Sequence, residues 1–160
     1  MLIKTTRFGE LEVDESKVLF FPAGLPGLPG SRRYLLLDIA EQRPFRWLQS
    51  CDEPEIALVV VDPLLFFPDY RVEVSAEELN ALGLEVEPED ACEVLAVLVV
   101  PPDPRLITAN LLAPLIINHR SRRGAQVILS NSPYTTRHYL FAPEGKPEEK
   151  KVAEAAGGPR

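Results

Sequence analysis

Sixteen prolines in 160 residues leave few places where a long regular element can run. Proline has no amide proton to give a ladder, and its ring clashes with a preceding helical turn. Each one therefore marks an edge, a bulge, a turn or the first residue of a helix. The apolar segments between them are short, β-branched or aromatic, and interrupted about every ten residues by Pro, Gly or Asp, which is the punctuation of strands. Strands are expected over Leu2–Thr5, Phe8–Val13, Val18–Phe21, Tyr34–Ile39, Phe45–Gln49, Ile56–Val61 and Arg71–Val74. Further strands are expected over Cys92–Val100, Leu106–Thr108, Leu115–Asn118 and Gln126–Ser130. Two stretches, Ile56–Val61 and Val94–Val100, are apolar at every position, the pattern of strands covered on both faces.

One helix start stands out. Ser75-Ala76-Glu77-Glu78 is a capping box, in which the serine hydroxyl accepts the Glu78 amide and the Glu78 carboxylate reaches back; the helix should stop at Gly83. The expected fold is all-β, a single antiparallel β-barrel-like or sandwich domain with one short helix over residues 1–142. Residues 143–160 turn to Pro, Glu, Lys, Ala and Gly, with little apolar surface to offset the entropy of ordering, and are expected to form a mobile C-terminal tail. In Phe21–Gly30 (FPAGLPGLPG), Pro26-Gly27 and Pro29-Gly30 each stand in the order a type II turn requires, which predicts a rigid loop.

Catalytic constellations are hard to assemble. The GxxGxxG spacing in Phe21–Gly30 carries prolines that remove the amide donors a phosphate cradle needs. His119 and His138 have no carboxylate or second histidine at metal-ligand spacing, and no serine lies in a GxSxG elbow. Cys51 and Cys92 are too few for a disulfide framework and are expected to be reduced, buried thiols. The reading is of a binding protein without catalytic residues, metal or cofactor. Met1–Glu10 has no apolar stretch behind Lys4 and Arg7, and no run approaches the roughly 18 apolar residues of a membrane span. A cytoplasmic protein without a membrane contact is expected.

Net charge is −7, which disfavours a general nucleic-acid binder and suits a basic partner. The charge is uneven: residues 1–103 carry 8 Lys and Arg against 20 Asp and Glu, whereas residues 104–142 carry five arginines and no acid. Two segments are candidates for contact. Asp62–Tyr70 (DPLLFFPDY) holds four apolar residues between two prolines; it reads either as a turn capping a barrel or as a partner-binding knob made of Phe66, Phe67, Asp69, Tyr70 and Glu73. Asn118–Gly124 (NHRSRRG) places Arg120, Arg122 and Arg123 in a hairpin turn, either protecting an edge or meeting an acidic or phosphate partner.

Four strings in order, FPAGLPGLPG, FRWLQSCDEPEIAL (Phe45–Leu58), VVDPLLFFPDY ending at Tyr70, and TANLLAPLIIN (Thr108–Asn118) with GAQVIL (Gly124–Leu129), resemble the FliW family of flagellar assembly factors from about Leu2 to Leu140. The resemblance implies a β-barrel-like cytoplasmic protein that binds flagellin and also CsrA, the RNA-binding carbon storage regulator that represses flagellin translation. It would be a partner switch, in which flagellin occupies the protein until secretion depletes it, and the freed protein then takes CsrA off the flagellin message. The competing readings are a cofactor-binding barrel enzyme, such as a flavin split barrel, and a nucleic-acid-binding barrel using Arg120–Arg123 with Tyr134 and Tyr139.

Overall fold

A computed structural model describes residues 1–141, so the expected tail lies outside the described residues. The strands are short, as the prolines require. β1 (Leu2–Thr5) and β2 (Gly9–Glu12) form a separate hairpin. β3 (Leu19–Phe20), β4 (Arg33–Leu37), β5 (Arg46–Ser50), β6 (Ala57–Val61), β7 (Cys92–Val99), β8 (Thr108–Asn118) and β9 (Arg123–Gln126) follow. Their order is β8-β7-β6-β5-β4-β3-β9, and β9 returns to β8, closing a seven-stranded barrel. All pairs are antiparallel except the seam, where Phe20 faces Arg123 in a parallel bridge and its amide donates to the Arg122 carbonyl at 2.9 Å. β10 (His138–Tyr139) adds to β8 at Ala109 and Thr108.

Period-two alternation divides the apolar residues into an interior and an outer layer. Leu19, Tyr34, Leu48, Val60, Leu95, Leu115 and Ile117, with Phe21 and Leu25, form the barrel core. The alternate residues, Val61, Ala96, Leu98 and Ala109, face outward and are covered by the Phe66–Val74 segment and by Tyr134 and Leu140. Ile116, Ala125 and Val127 are covered by Leu84 and by Leu79 of α1 (Ala76–Ala81). This explains part of the wholly apolar segments: Val60–Val61 and Leu95–Ala96 are buried on both faces, whereas Ala57–Val59 are part-buried and Val99 and Val100 are exposed, contrary to expectation. The capping box forms as expected, Ser75 Oγ accepting from Glu78 N at 3.1 Å and Glu78 Oε1 from Ser75 N at 3.0 Å, and the chain turns at Gly83 with φ +82°.

Several expectations are corrected. The strand expected over Gln126–Ser130 lies earlier, as β9, and Val127–Ser130 is not strand. Arg71–Val74 is not a strand; it spans the outer face as irregular chain, with Val72 and Val74 packed inward. The strand expected over Leu115–Asn118 begins at Thr108 and runs 11 residues, because Pro114 lies in a bulge between the pairs Leu95↔Leu115 and Val97↔Asn110, where no ladder amide is required; Leu106, expected in a strand of its own, lies in a 3₁₀ turn over Pro104–Leu106. Of the two Pro-Gly turns only Pro26-Gly27 has the left-handed glycine of type II (φ +80°). Gly30 is a close approach instead: a Cβ there would stand 2.5 Å from Glu53 Oε2 and would displace that carboxylate from Ser31 Oγ, whose hydrogen bond it accepts at 2.9 Å.

Gly124 on β9 is also a close approach. A Cβ would stand 2.7 Å from Cζ of Phe21, a wholly buried core ring beside the seam. Gly124→Ala should therefore lower unfolding free energy by about 1–3 kcal/mol, through overpacking, measured by urea denaturation. Gly9→Ala, strained by φ but with open space around it, provides the control for backbone strain without crowding.

Candidate functional site

The Asp62–Tyr70 segment is a chain of tight turns. Asp62 caps it, Oδ1 accepting from Leu64 N at 3.0 Å, and Pro63 occupies the first position of a 3₁₀ turn over Pro63–Leu65. The Phe67 amide donates to the Pro63 carbonyl at 2.8 Å and the Tyr70 amide to that of Phe67 at 3.0 Å. These bonds turn Leu64 and Leu65 outward, 53% and 58% exposed, while Pro63 and Tyr70 are buried. Tyr70 anchors the segment from below: its hydroxyl donates to the Leu111 carbonyl at 2.7 Å, its ring lies edge-on to Tyr134 at 4.7 Å, and burial pushes the phenol pKa up.

Of the residues expected to form a knob, Phe66 and Phe67 are half-buried. Phe66 stacks on Phe45 at 6.0 Å and meets Phe141 edge-on at 5.8 Å; Phe67 meets the His138 ring at 6.0 Å. Asp69 and Glu73 are exposed, with the exposed Arg71 between them, and Tyr70 is held in the core. Both expected descriptions therefore apply to parts of the segment: it packs on the barrel wall through its aromatic residues, and it presents a leucine pair and two acids to solvent.

The arginine turn is committed locally. Arg120 binds Asp90 through Nε at 2.5 Å, and Asp90 also accepts from Asn118 Nδ2 and the Glu87 amide, so these donors hold its carboxyl well below the usual carboxylate range. Arg122 sits at the apex with φ +60°, and the Arg123 guanidinium lies 5.5 Å over the Phe20 ring. Next to this turn Glu93 is desolvated, which raises its pKa, but bonds from Arg46 and His119 outweigh that and leave it lowered.

The sequence gives little notice of a neighbouring apolar groove of about 680 Å³, lined by Phe45, Trp47, Val59, Leu98, Val100 and Ile107, with Arg7, Gln42 and Arg43 at its rim. The available signal is Arg46-Trp47-Leu48: with Leu48 in the core, alternation turns Trp47 to the outer face. Trp47 is fixed there, its Nε1 donating to Gln42 Oε1 at 2.7 Å, Phe8 edge-on at 5.5 Å, and the Arg7 guanidinium 4.6 Å over the ring. Phe45 joins groove and turn, since it lines the one and stacks on Phe66 of the other.

Cys51 and Cys92 are free and partly buried; burial raises both pKa values, keeping them protonated thiols near neutrality. Among the described residues no three His, Cys, Asp or Glu are grouped to hold a metal ion, and no helix is long and apolar enough to cross a membrane.

The class defined is a small closed β-barrel with an aromatic outer layer. A family model described as FliW protein matches residues 2–140. The chain is 44% identical over 158 residues to the flagellar assembly factor FliW of Syntrophomonas wolfei, covering 99% of this chain and 100% of that one. It is 40% identical to the one from Moorella thermoacetica, covering 98% of each. A crystal structure of the flagellar assembly factor FliW superposes with a TM-score of 0.80 at 33% identity, covering 90% of this chain and 99% of that one. The chain belongs to the FliW family of flagellar assembly factors.

The Asp90 cluster yields a pH prediction. A carboxylate whose folded pKa is depressed contributes stability above its ordinary value near 3.8, and that contribution is lost as pH falls toward the folded value. Unfolding free energy measured by urea denaturation should fall below about pH 4. Asp90→Asn should be less stable than the unsubstituted chain at neutral pH and show a shallower loss on acidification.

Proposed function

We propose that this chain is a non-enzymatic, cytoplasmic partner switch of flagellar assembly, binding flagellin and CsrA and relieving repression of flagellin translation by taking up CsrA. The observation that carries the reading is the FliW match over residues 2–140, which spans nearly all the described chain. The physical chemistry is compatible with it. A net charge of −7 attracts a regulator that is basic where it holds RNA phosphates, and disfavours RNA beside it. Flagellin offers apolar segments, for which exposed Leu64 and Leu65 and the groove beside Phe45 are suitable counterparts.

The contact proposed for CsrA is the exposed rim of the Asp62–Glu73 segment, with Asp69 and Glu73 as steering charges and the Phe66–Phe67 pair behind them. Tyr70 contributes by holding the segment in place. Arg120, Arg122 and Arg123 are the second surface to test.

The test is co-purification of the chain with flagellin and with CsrA, followed by association kinetics on variants. Asp69→Lys with Glu73→Lys should slow CsrA association by about tenfold at low salt, less at high salt, with the melting temperature unchanged. Phe67→Ala should mainly speed dissociation. Unchanged association at low salt would remove this surface from the reading and direct attention to the arginine turn.

A further inference from the structure

The N-terminal hairpin is joined to the barrel by few contacts. β1 and β2 pair only with each other, and none of residues 1–18 belongs to the three apolar clusters formed by the described residues. Its hydrogen bonds close on themselves. Thr5 Oγ1 donates to the Gly9 carbonyl and accepts from the Phe8 amide, both at 2.8 Å, and the Met1 ammonium donates to Glu12 Oε2 and to the Val13 carbonyl. Among the described residues one hydrogen bond crosses from residues 1–13 to the rest of the chain, from the Thr6 amide to the Pro54 carbonyl at 2.9 Å.

The other attachments lie at the two ends of the hairpin. At its root, Ile3 is the one buried apolar side chain of the two strands, 4% exposed. At its tip, the Arg7 guanidinium lies 4.6 Å over the Trp47 ring and Phe8 meets that ring edge-on at 5.5 Å. Arg7 and Trp47 both line the apolar groove, whose rim also carries Glu41 and Arg43. The contacts that hold the tip down are therefore the ones that cover Trp47. A segment that keeps its own hydrogen bonds on detachment, and breaks one backbone bond to leave, has the features of a unit that opens at a lower free energy than global unfolding.

We propose that the hairpin is a hinged strap on this groove: it leaves the barrel as one piece while the barrel stays folded, turning at residues 13–18 between β2 and β3, and so uncovers Trp47. The groove then has a strapped and an unstrapped form, and the second offers a longer aromatic floor. A partner that needs the Trp47 end binds with an affinity reduced by the fraction of molecules that are unstrapped, so the strap sets how available that end is. The inference concerns the chain alone and is tested on it, independently of flagellin and CsrA.

The test is amide hydrogen exchange of the full chain, followed by NMR across low urea concentrations. The Thr6 amide, whose acceptor belongs to the barrel, should exchange about tenfold or more faster than the bonded amides of β5, with a shallower dependence on urea. Trp47 is the only tryptophan, so its fluorescence reports the tip without a label. Ile3→Ala, which loosens the root, should raise acrylamide quenching of that fluorescence about twofold while the far-ultraviolet circular dichroism is unchanged. Leu2→Ala, at a side chain 57% exposed, should leave quenching as it was.

Exchange of Thr6 at the rate and urea dependence of the β5 amides would overturn the proposal, because the hairpin would then open only with the barrel. An Ile3→Ala chain that keeps its circular dichroism and shows unchanged quenching of Trp47 would overturn it too, since root and tip would not move together. If Ile3→Ala does not fold, the exchange of Thr6 in the unsubstituted chain decides.

Discussion

A proline in the middle of the longest strand is the constraint around which the outer layer is organised. Pro114 interrupts β8 where it must serve β7, β9 and β10, and the ladder with β7 is broken from Asn110 to Leu115. Unmet polar groups at this depth would cost about 1–3 kcal/mol each. Every one has a partner. Asn110 Oδ1 accepts from the amides of Leu112 and Ala113, and the Leu111 amide reaches the Thr135 carbonyl at 3.2 Å. The four carbonyls from Leu111 to Pro114 accept from Tyr70 Oη, the Leu129 amide, Gln126 Nε2 and the Val127 amide respectively. The donors come from the Asp62–Glu73 segment, from Gln126 at the end of β9 and from the chain beyond it, so the same bonds that rescue the broken strand attach the outer layer to the barrel.

That attachment gives the molecule two grades of surface. Where the outer layer is anchored, at Tyr70, Tyr134 and α1, the barrel wall is covered and the side chains are buried. Where it ends, beyond Phe66 toward Phe45 and Trp47, the wall carries the apolar groove. Aromatic contacts run across this boundary from Phe141 through Phe66 to Phe45. A partner engaging the groove would therefore press on the turn that presents Leu64, Leu65 and Asp69, which provides a physical route by which two contacts could influence each other.

Local chemistry was legible in the sequence wherever a residue type determines its own geometry. The capping box at Ser75, the type II turn at Pro26-Gly27 and the two-sided burial of Val60–Val61 and Leu95–Ala96 follow from hydrogen-bonding groups, a forced φ and periodicity. What failed required knowledge of distant partners. Pro114 argued against a continuous strand because nothing local shows that Tyr70, Gln126 and Thr135 will satisfy the bulge. Arg71–Val74 has a strand's composition but no neighbouring edge to pair with. Gly30 carries the signature of a left-handed turn, yet its smallness serves Glu53. In the site, the exposed pair within Asp62–Tyr70 could not be separated from the buried residues, since the four apolar side chains are alike in type and only the turn geometry sorts them.

Electrostatics shows the same dependence on pairing. The five arginines of residues 104–142 suggest a basic face opposite an acidic one. Folding commits three of them to neighbours: Arg105 to Asp103, Arg120 to Asp90 and Arg123 to the Phe20 ring. Arg46 and His119 converge on Glu93. Charges joined in this way cancel at short range, so a partner at a distance meets mainly the surplus of acids, while one at contact distance meets individual exposed groups such as Arg7, Asp69 and Glu73. Net charge can therefore accelerate encounter with any basic protein but cannot discriminate among them. Under the proposed partner-switch reading, discrimination would come from features that act only at contact, namely the leucine pair and the aromatic floor beside Trp47.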